Sequence, residues 1–261
     1  MVFVDRRMFV QQVGIGLAGA ALSPSLFSAT TNGLRRSTVK AIAFDAFPIF
    51  DPRPIATTAE ALFPGRGAEL MNVWRTRQFE YTWLRSLARD YVDFWRVTED
   101  ALHFAATSLG LDLSSARREE LMNAYLHLRA WPDVADASKA LSRNGTRLVL
   151  LSNFSPAMLK GCIASSGLDG VFEHAISTDV AQTYKPDPRA YQLGVDALGL
   201  SREEIVFAAF AGWDAAGAKR FGYPTFWVNR TRAIPEVLGV EPDGAGQGLS
   251  DLVAFVESRR S

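Results

Sequence analysis

Five short apolar runs recur along the chain, at residues 39–44, 147–151, 174–177, 205–209 and 225–228. Helix-length segments at 133–143, 156–166, 188–199 and 214–221 are interleaved with the later ones. Short apolar strands alternating with helices leave few options. They predict an α/β protein with a parallel sheet covered by helices on both faces. In such sheets, ligands sit at the carboxyl ends of the strands.

The stretch 51–130 breaks the alternation. It carries no convincing strand, and 67–90, 93–109 and 114–128 read as helices. Ser114 or Ser115 is placed to cap the third, with Glu119 and Glu120 in its first turns. Trp74, Phe79, Tyr81, Trp83, Tyr91, Phe94, Trp95 and Phe104 make this stretch dense in aromatics, most of which a helical core must absorb. The organisation expected is a core from 39–51 and 131–261 with an inserted helical cap at 52–130.

Residues 1–38 read as a separate segment. Arg6-Arg7 precedes a weakly apolar run at 13–22, then Ser, Pro and Ala residues, and a polar linker at 30–38. This is the layout of a twin-arginine export signal, which places the protein in the periplasm. The run is short for a bilayer span. The other reading is an amphipathic helix packed on the domain.

Composition narrows the chemistry. Lys+Arg and Asp+Glu are both 28, so the formal net charge is zero and nothing favours nucleic acid as a partner. Cys162 is the single cysteine, which rules out an intrachain disulfide and suits core filler. His103, His127 and His174 are scattered without ligand spacing. No metal site and no cofactor are expected.

Four polar groups fall at or just beyond the strand ends: Asp45, Ser152-Asn153, Lys185 and Asp214. Singly they are weak signals, since a terminal Asp is often a helix cap and Asp214 could cap 214–221. Their order, each after a strand, is far more specific. With the stretches "WRTRQFEYTWLRSL", "LSNFSP", "YKPDPRAY" and "GWDAAGAKRFGYPTFWVNR", the chain resembles the haloacid dehalogenase superfamily, and within it the type II (S)-2-haloacid dehalogenases. The resemblance runs from about residue 39 to 258. It implies a Rossmann-like core with an inserted helical cap, a homodimer, and hydrolysis of short 2-haloalkanoic acids through an aspartyl ester, with water as the second reactant.

Phosphatases of the superfamily need an acid two residues after the nucleophile; here that residue is Phe47, which transfers no proton. Dehalogenation needs an ionised nucleophile, donors for the substrate carboxylate and a cation for the departing halide. Asp45 suits the first, and Lys185 would keep it charged. By resemblance, Ala46, Ser152 and Asn153 hold the carboxylate, Arg75 takes the halide, and Asp214 supports Lys185. Phe47, Phe79, Phe94 and Trp213 would line the pocket, and Tyr191 would join the substrate site.

Three positions depart from the family pattern. Pro48 replaces a Gly-Thr pair in a loop shortened by one residue, and Ala209 and Ala211 replace a serine and an asparagine. The alternative they raise is a catalytically altered or inactive exported member that binds small carboxylates.

Overall fold

The computed structural model describes residues 38–143 and 145–259. The twin-arginine segment and nearly all of its linker, residues 1–37, lie outside the described residues. Six strands, β1 (Ala41–Phe44), β2 (Arg147–Ser152), β3 (His174–Ser177), β4 (Ile205–Ala209), β5 (Thr225–Val228) and β6 (Gly244–Gly246), form one parallel sheet ordered β3-β2-β1-β4-β5-β6. All four residues of β1 are buried, because its neighbours β2 and β4 flank it and helices cover both faces. Ile42 and Phe44 face one apolar cluster with Leu150 and Val206. Ala41 and Ala43 face a second with Val149 and Phe207. Strand order turns outward in both directions from β1, so its carboxyl end lies at a topological switch point. Asp45 follows directly.

The segment after Asp45, whose three prolines suggest a loop, is helical over α1 (Ala46–Ile49) and α2 (Arg53–Leu62). Pro48 is the third residue of α1, where the backbone N–H would have no intrahelical partner, so its absence costs the turn no hydrogen bond. Pro52 is the N-cap of α2 and Pro54 its second residue, again first-turn positions that tolerate proline.

Then follow α3 (Gly67–Ala88), α4 (Phe94–Ser108) and α5 (Ser115–Ala124). Asp93 caps α4 by accepting from the Arg96 N–H at 2.8 Å, and Ser114 caps α5 through the Arg117 N–H at 3.3 Å. The third helix stops at Ala124, short of the expected 128. Trp74 on α3 is fully buried and donates its indole N–H to the Thr98 carbonyl of α4 at 2.8 Å. Gln78 donates to the Thr98 hydroxyl at 2.7 Å. The excursion closes where Phe50 and Ala130 meet in an antiparallel bridge.

The remaining helices are α6 (Val134–Arg143), α7 (Pro156–Ser165), α8 (Pro188–Leu198), α9 (Gly212–Phe221) and α10 (Leu249–Ser258). β6 carries no sequence signal of its own, whereas α10 shows the spacing of a buried helical face in Leu249, Leu252 and Val256. β6 is Gly-Ala-Gly, and a Cβ on Gly246 would stand 2.3 Å from the Asp251 Cβ, so glycine lets α10 close onto the sheet edge. No described helix is long and apolar enough to cross a membrane.

Trp74 ties α3, the helix that carries Arg75, to α4. Trp74→Ala should cost about 3–5 kcal/mol by the rule for buried aromatics, read as a lower denaturant midpoint. Trp74→Phe, which keeps a ring, should retain most of that stability.

Candidate active site

Three strand or turn ends converge on one buried ammonium. Lys185, 1% exposed, donates to Asp45 Oδ1 at 2.7 Å, to Asp214 Oδ2 at 2.7 Å and to the Leu151 carbonyl at 3.3 Å. Asp45 comes from the end of β1, Leu151 from β2, and Asp214 from the first turn of α9. Asp214 is therefore not the cap of that helix; Ala211 holds the cap position.

The balance of charge fixes the protonation states. Burial alone would lower the Lys185 amine, but Asp214 and Asp45 outweigh it and hold its pKa above the ordinary lysine value. Burial, with repulsion from Asp45, pushes Asp214 up to about 6, although Lys185 and the Tyr191 hydroxyl pull the other way. Tyr191 donates to Asp214 Oδ1 at 2.7 Å. It is fully buried and does not line the cavity, which corrects its expected place beside the substrate: it stands behind Asp214 and orients it. A Cβ on Gly217 would lie 2.4 Å from the Tyr191 oxygen, so the glycine one turn after Asp214 makes room for that hydroxyl.

The two oxygens of Asp45 differ. Oδ1 accepts from Lys185 and, at 3.4 Å, from the Ser152 hydroxyl. Oδ2 accepts only a long bond, 3.4 Å, from the Phe47 N–H, so Asp45 caps its own helix turn. Oδ2 thus keeps the freer lone pairs. The Asn153 side chain is engaged elsewhere: its carbonyl accepts from the Lys185 N–H at 3.0 Å and the Thr178 hydroxyl at 3.3 Å, fixing the loop that delivers Lys185.

Opposite Asp45, Arg75 reaches in from α3. Its guanidinium lies 5.2 Å from the Phe47 ring, 5.7 Å from Phe79 and 5.8 Å from Phe210. Among the described residues it forms no ion pair with a carboxylate. A cation held by aromatic faces with no acidic partner is suited to receive an anion. Asp45, Phe47, Arg75, Phe79, Phe94, Ser152, Asn153, Lys185, Trp213 and Asp214 all line one enclosed cavity of about 20 Å³. Ala46 is buried beside it without lining it. Phe154, Phe210 and Ala211 complete the wall. Sequence reasoning did not single out Phe154 or Phe210, although both adjoin strand ends, where the rule for open sheets would have looked.

A second group, also unread from sequence, holds the α1 turn from outside. Trp131 donates its indole N–H to the Phe47 carbonyl at 2.9 Å and its backbone N–H to Ile49 at 3.0 Å. Arg230 donates to the Pro48 carbonyl at 2.9 Å and pairs with Asp133 at 2.8 Å. The Trp131 ring is stacked by Arg53 at 4.6 Å and Arg230 at 4.7 Å. Cys162 is buried, and burial pushes its thiol up to about 12, which fits core filler. Among the described residues no group of three or more His, Cys, Asp or Glu could hold a metal ion.

A family model for haloacid dehalogenase-like hydrolases matches residues 29–222. The (S)-2-haloacid dehalogenase of Pseudomonas sp. (strain YL) is 43% identical over 221 residues, covering 84% of this chain and 95% of that protein. Haloacetate dehalogenase H-2 of Moraxella sp. (strain B) is 40% identical over 206 residues, covering 78% and 92%. The structure of L-2-haloacid dehalogenase from Xanthobacter autotrophicus with chloropropionic acid covalently bound superposes with a TM-score of 0.78 at 33% identity, covering 84% and 98%.

Removing the central ammonium tests the electrostatic account. Lys185→Met leaves two buried carboxylates without their cation and should cost about 3–5 kcal/mol at neutral pH. Asp214, already pushed up by burial, is then raised further above its unfolded value, so stability is present below the unfolded range and lost as pH rises through the folded one. The gap to the unsubstituted protein should therefore shrink as denaturation is moved from about pH 8 to about pH 5.

Proposed function

The chain belongs to the haloacid dehalogenase-like hydrolases, and from that membership we propose that it hydrolyses short 2-haloalkanoic acids to 2-hydroxy acids and halide. The observation that carries the reading is the 2.7 Å contact between Lys185 and Asp45 inside a small cavity walled in part by six aromatic rings. Asp45 Oδ2 attacks C2 in line, a C–O bond forms, and the halide leaves with the bonding pair toward Arg75. Ser152 and the backbone of Ala46 and Asn153 hold the substrate carboxylate. Phe47, Phe79, Phe94 and Trp213 exclude bulk water and so raise the reactivity of the carboxylate. Water then attacks the ester carbonyl carbon of Asp45. Its oxygen stays on Asp45, the alkoxide takes a proton, and the 2-hydroxy acid departs.

Asp214 sets the pH range. While it is ionised, Lys185 is shared between two carboxylates and Asp45 keeps more of its nucleophilic charge. Once it is protonated, Lys185 binds Asp45 alone and quiets it. Pro48, Ala209 and Ala211 remove polar groups, yet Lys185, Ser152 and the Phe47 N–H still hold Asp45. This favours turnover over a binding-only role. Helices α2–α5 serve as a cap, spanning 52–130, that brings Arg75 to the core. Residues 1–38 direct export to the periplasm, on the strength of Arg6-Arg7 and the apolar run after them, and the protein acts as a homodimer as the family resemblance implies.

Halide release from 2-chloro- and 2-bromo-acids should be lost in Asp45→Asn. In a single turnover in ¹⁸O-water, the label should appear in Asp45 and not in the product; label in the product instead would point to direct attack by water. The unsubstituted enzyme should lose kcat/KM as pH falls through about 6, and Asp214→Asn should flatten that limb at a lower plateau. Cell fractionation of an Arg6→Lys/Arg7→Lys variant and sedimentation of the purified chain test export and assembly. Unchanged periplasmic yield, or a monomer at all concentrations, would contradict them.

A further inference from the structure

The cavity over Asp45 is too small for a substrate. At about 20 Å³ it has room for about one water, which needs roughly 10–15 Å³ on this measure, and none for a haloacid. A wall must move for each turnover. Trp213 lines this cavity and also an open groove of about 670 Å³ on its other side, with Trp83, Pro186, Phe221 and Leu238. Trp83 also borders a neighbouring surface pocket of about 390 Å³. Trp213 on α9 is thus the wall between cavity and groove, and Trp83 on α3, which lines the groove and not the cavity, backs it from the groove side. Their rings touch edge to face, with centroids 5.5 Å apart and planes at 83°. Phe79 packs on both, at 6.3 and 5.3 Å.

This contact is the weak part of the enclosure. No hydrogen bond or ion pair joins α3 to α9 among the described residues. The Trp83 indole N–H is buried with no partner, whereas a buried indole ordinarily finds one. An orphan donor makes the closed arrangement less favourable than an apolar contact of the same area.

We propose that Trp83, through its contact with Trp213, determines acyl-chain length: it holds the Trp213 ring across the end of the space open to the C2 substituent, and the groove behind accepts a longer alkyl chain when the contact is absent. The inference rests on the dehalogenase reading above. With the substrate carboxylate toward Ser152 and Asn153 and the halide toward Arg75, the third substituent on C2 is left the apolar side formed by Phe79 and Trp213. The groove beyond is lined by two prolines, Phe221 and Leu238 as well as Arg202, Arg220 and Glu236, and the larger part of its surface is apolar, which suits hydrocarbon.

The test is halide release from 2-bromo acids of two, three, four, six and eight carbons by the unsubstituted enzyme, Trp83→Ala and Trp83→Phe. In Trp83→Ala the ratio of kcat/KM for 2-bromooctanoate to that for 2-bromoacetate should rise about tenfold or more, the scale on which apolar pockets discriminate by chain length. 2-Bromoacetate itself should be turned over as before, and Trp83→Phe should fall between. A ratio unmoved in Trp83→Ala overturns the proposal while leaving dehalogenation intact. Absence of halide from 2-bromoacetate in the unsubstituted enzyme overturns the dehalogenase reading instead. If Trp83→Ala does not fold, Trp83→Leu takes its place: a raised ratio supports the proposal and an unmoved ratio overturns it.

Discussion

One ammonium group organises the site. Lys185 is buried to 1% and survives as a cation only because two carboxylates stand 2.7 Å away. Each of those carboxylates is tolerable in turn only because the ammonium is there. The mutual dependence reaches into the sheet. Asp45 is supplied by β1, the backbone acceptor Leu151 by β2 and Asp214 by the turn after β4, so the three central strands must be in register for the charges to balance. The parallel sheet and the charge cluster are therefore one construction.

The aromatic wall completes it. Phe47, Phe154 and Phe210 crowd one side of Asp45, and Phe47 meets Phe154 edge to face at 5.2 Å. Where a phosphatase of this fold would carry an acid, Phe47 contributes a ring that also faces Arg75. One side chain thus withdraws proton transfer and helps seat a cation. Arg75 belongs to the helical layer and Asp45 to the sheet, so the two side chains share a cavity only where the two layers close on each other. Tyr91, which bonds Asp179 at 2.6 Å, and Tyr184, which bonds the Val92 carbonyl, fasten the layers beside the site.

The charged part of the site was legible because each member sits at a strand end, and strands announce themselves as apolar runs. Asp45, Lys185 and Asp214 could be listed together because each follows an apolar run, and the family resemblance gave Asp214 its place beside Lys185. The fold's five central strands were legible for the same reason. What escaped was held by geometry that composition does not record. α1 and α2 hid behind prolines, since proline reads as a loop unless its place in the first turn is known. β6 hid in Gly-Ala-Gly, where close approach of α10 replaces strand propensity. Tyr191 carried the signal of a site residue, but only the packing around Gly217 reveals that it points at Asp214 and not at the cavity. Trp131 and Arg230 are far from Asp45 in sequence and meet its turn only through the fold.

That last pair bears on how the site endures its own reaction. Asp45 caps α1, so a nucleophile that alternates between anion and ester would alternately strengthen and weaken the start of its own helix. The far side of the turn, however, is anchored by Trp131 and Arg230 through the carbonyls of Phe47, Pro48 and Ile49. These bonds do not involve the reacting carboxylate and are indifferent to its charge. The scaffold is insulated from the electrical cycle it supports, much as a terminal block stays fixed while the current through it switches.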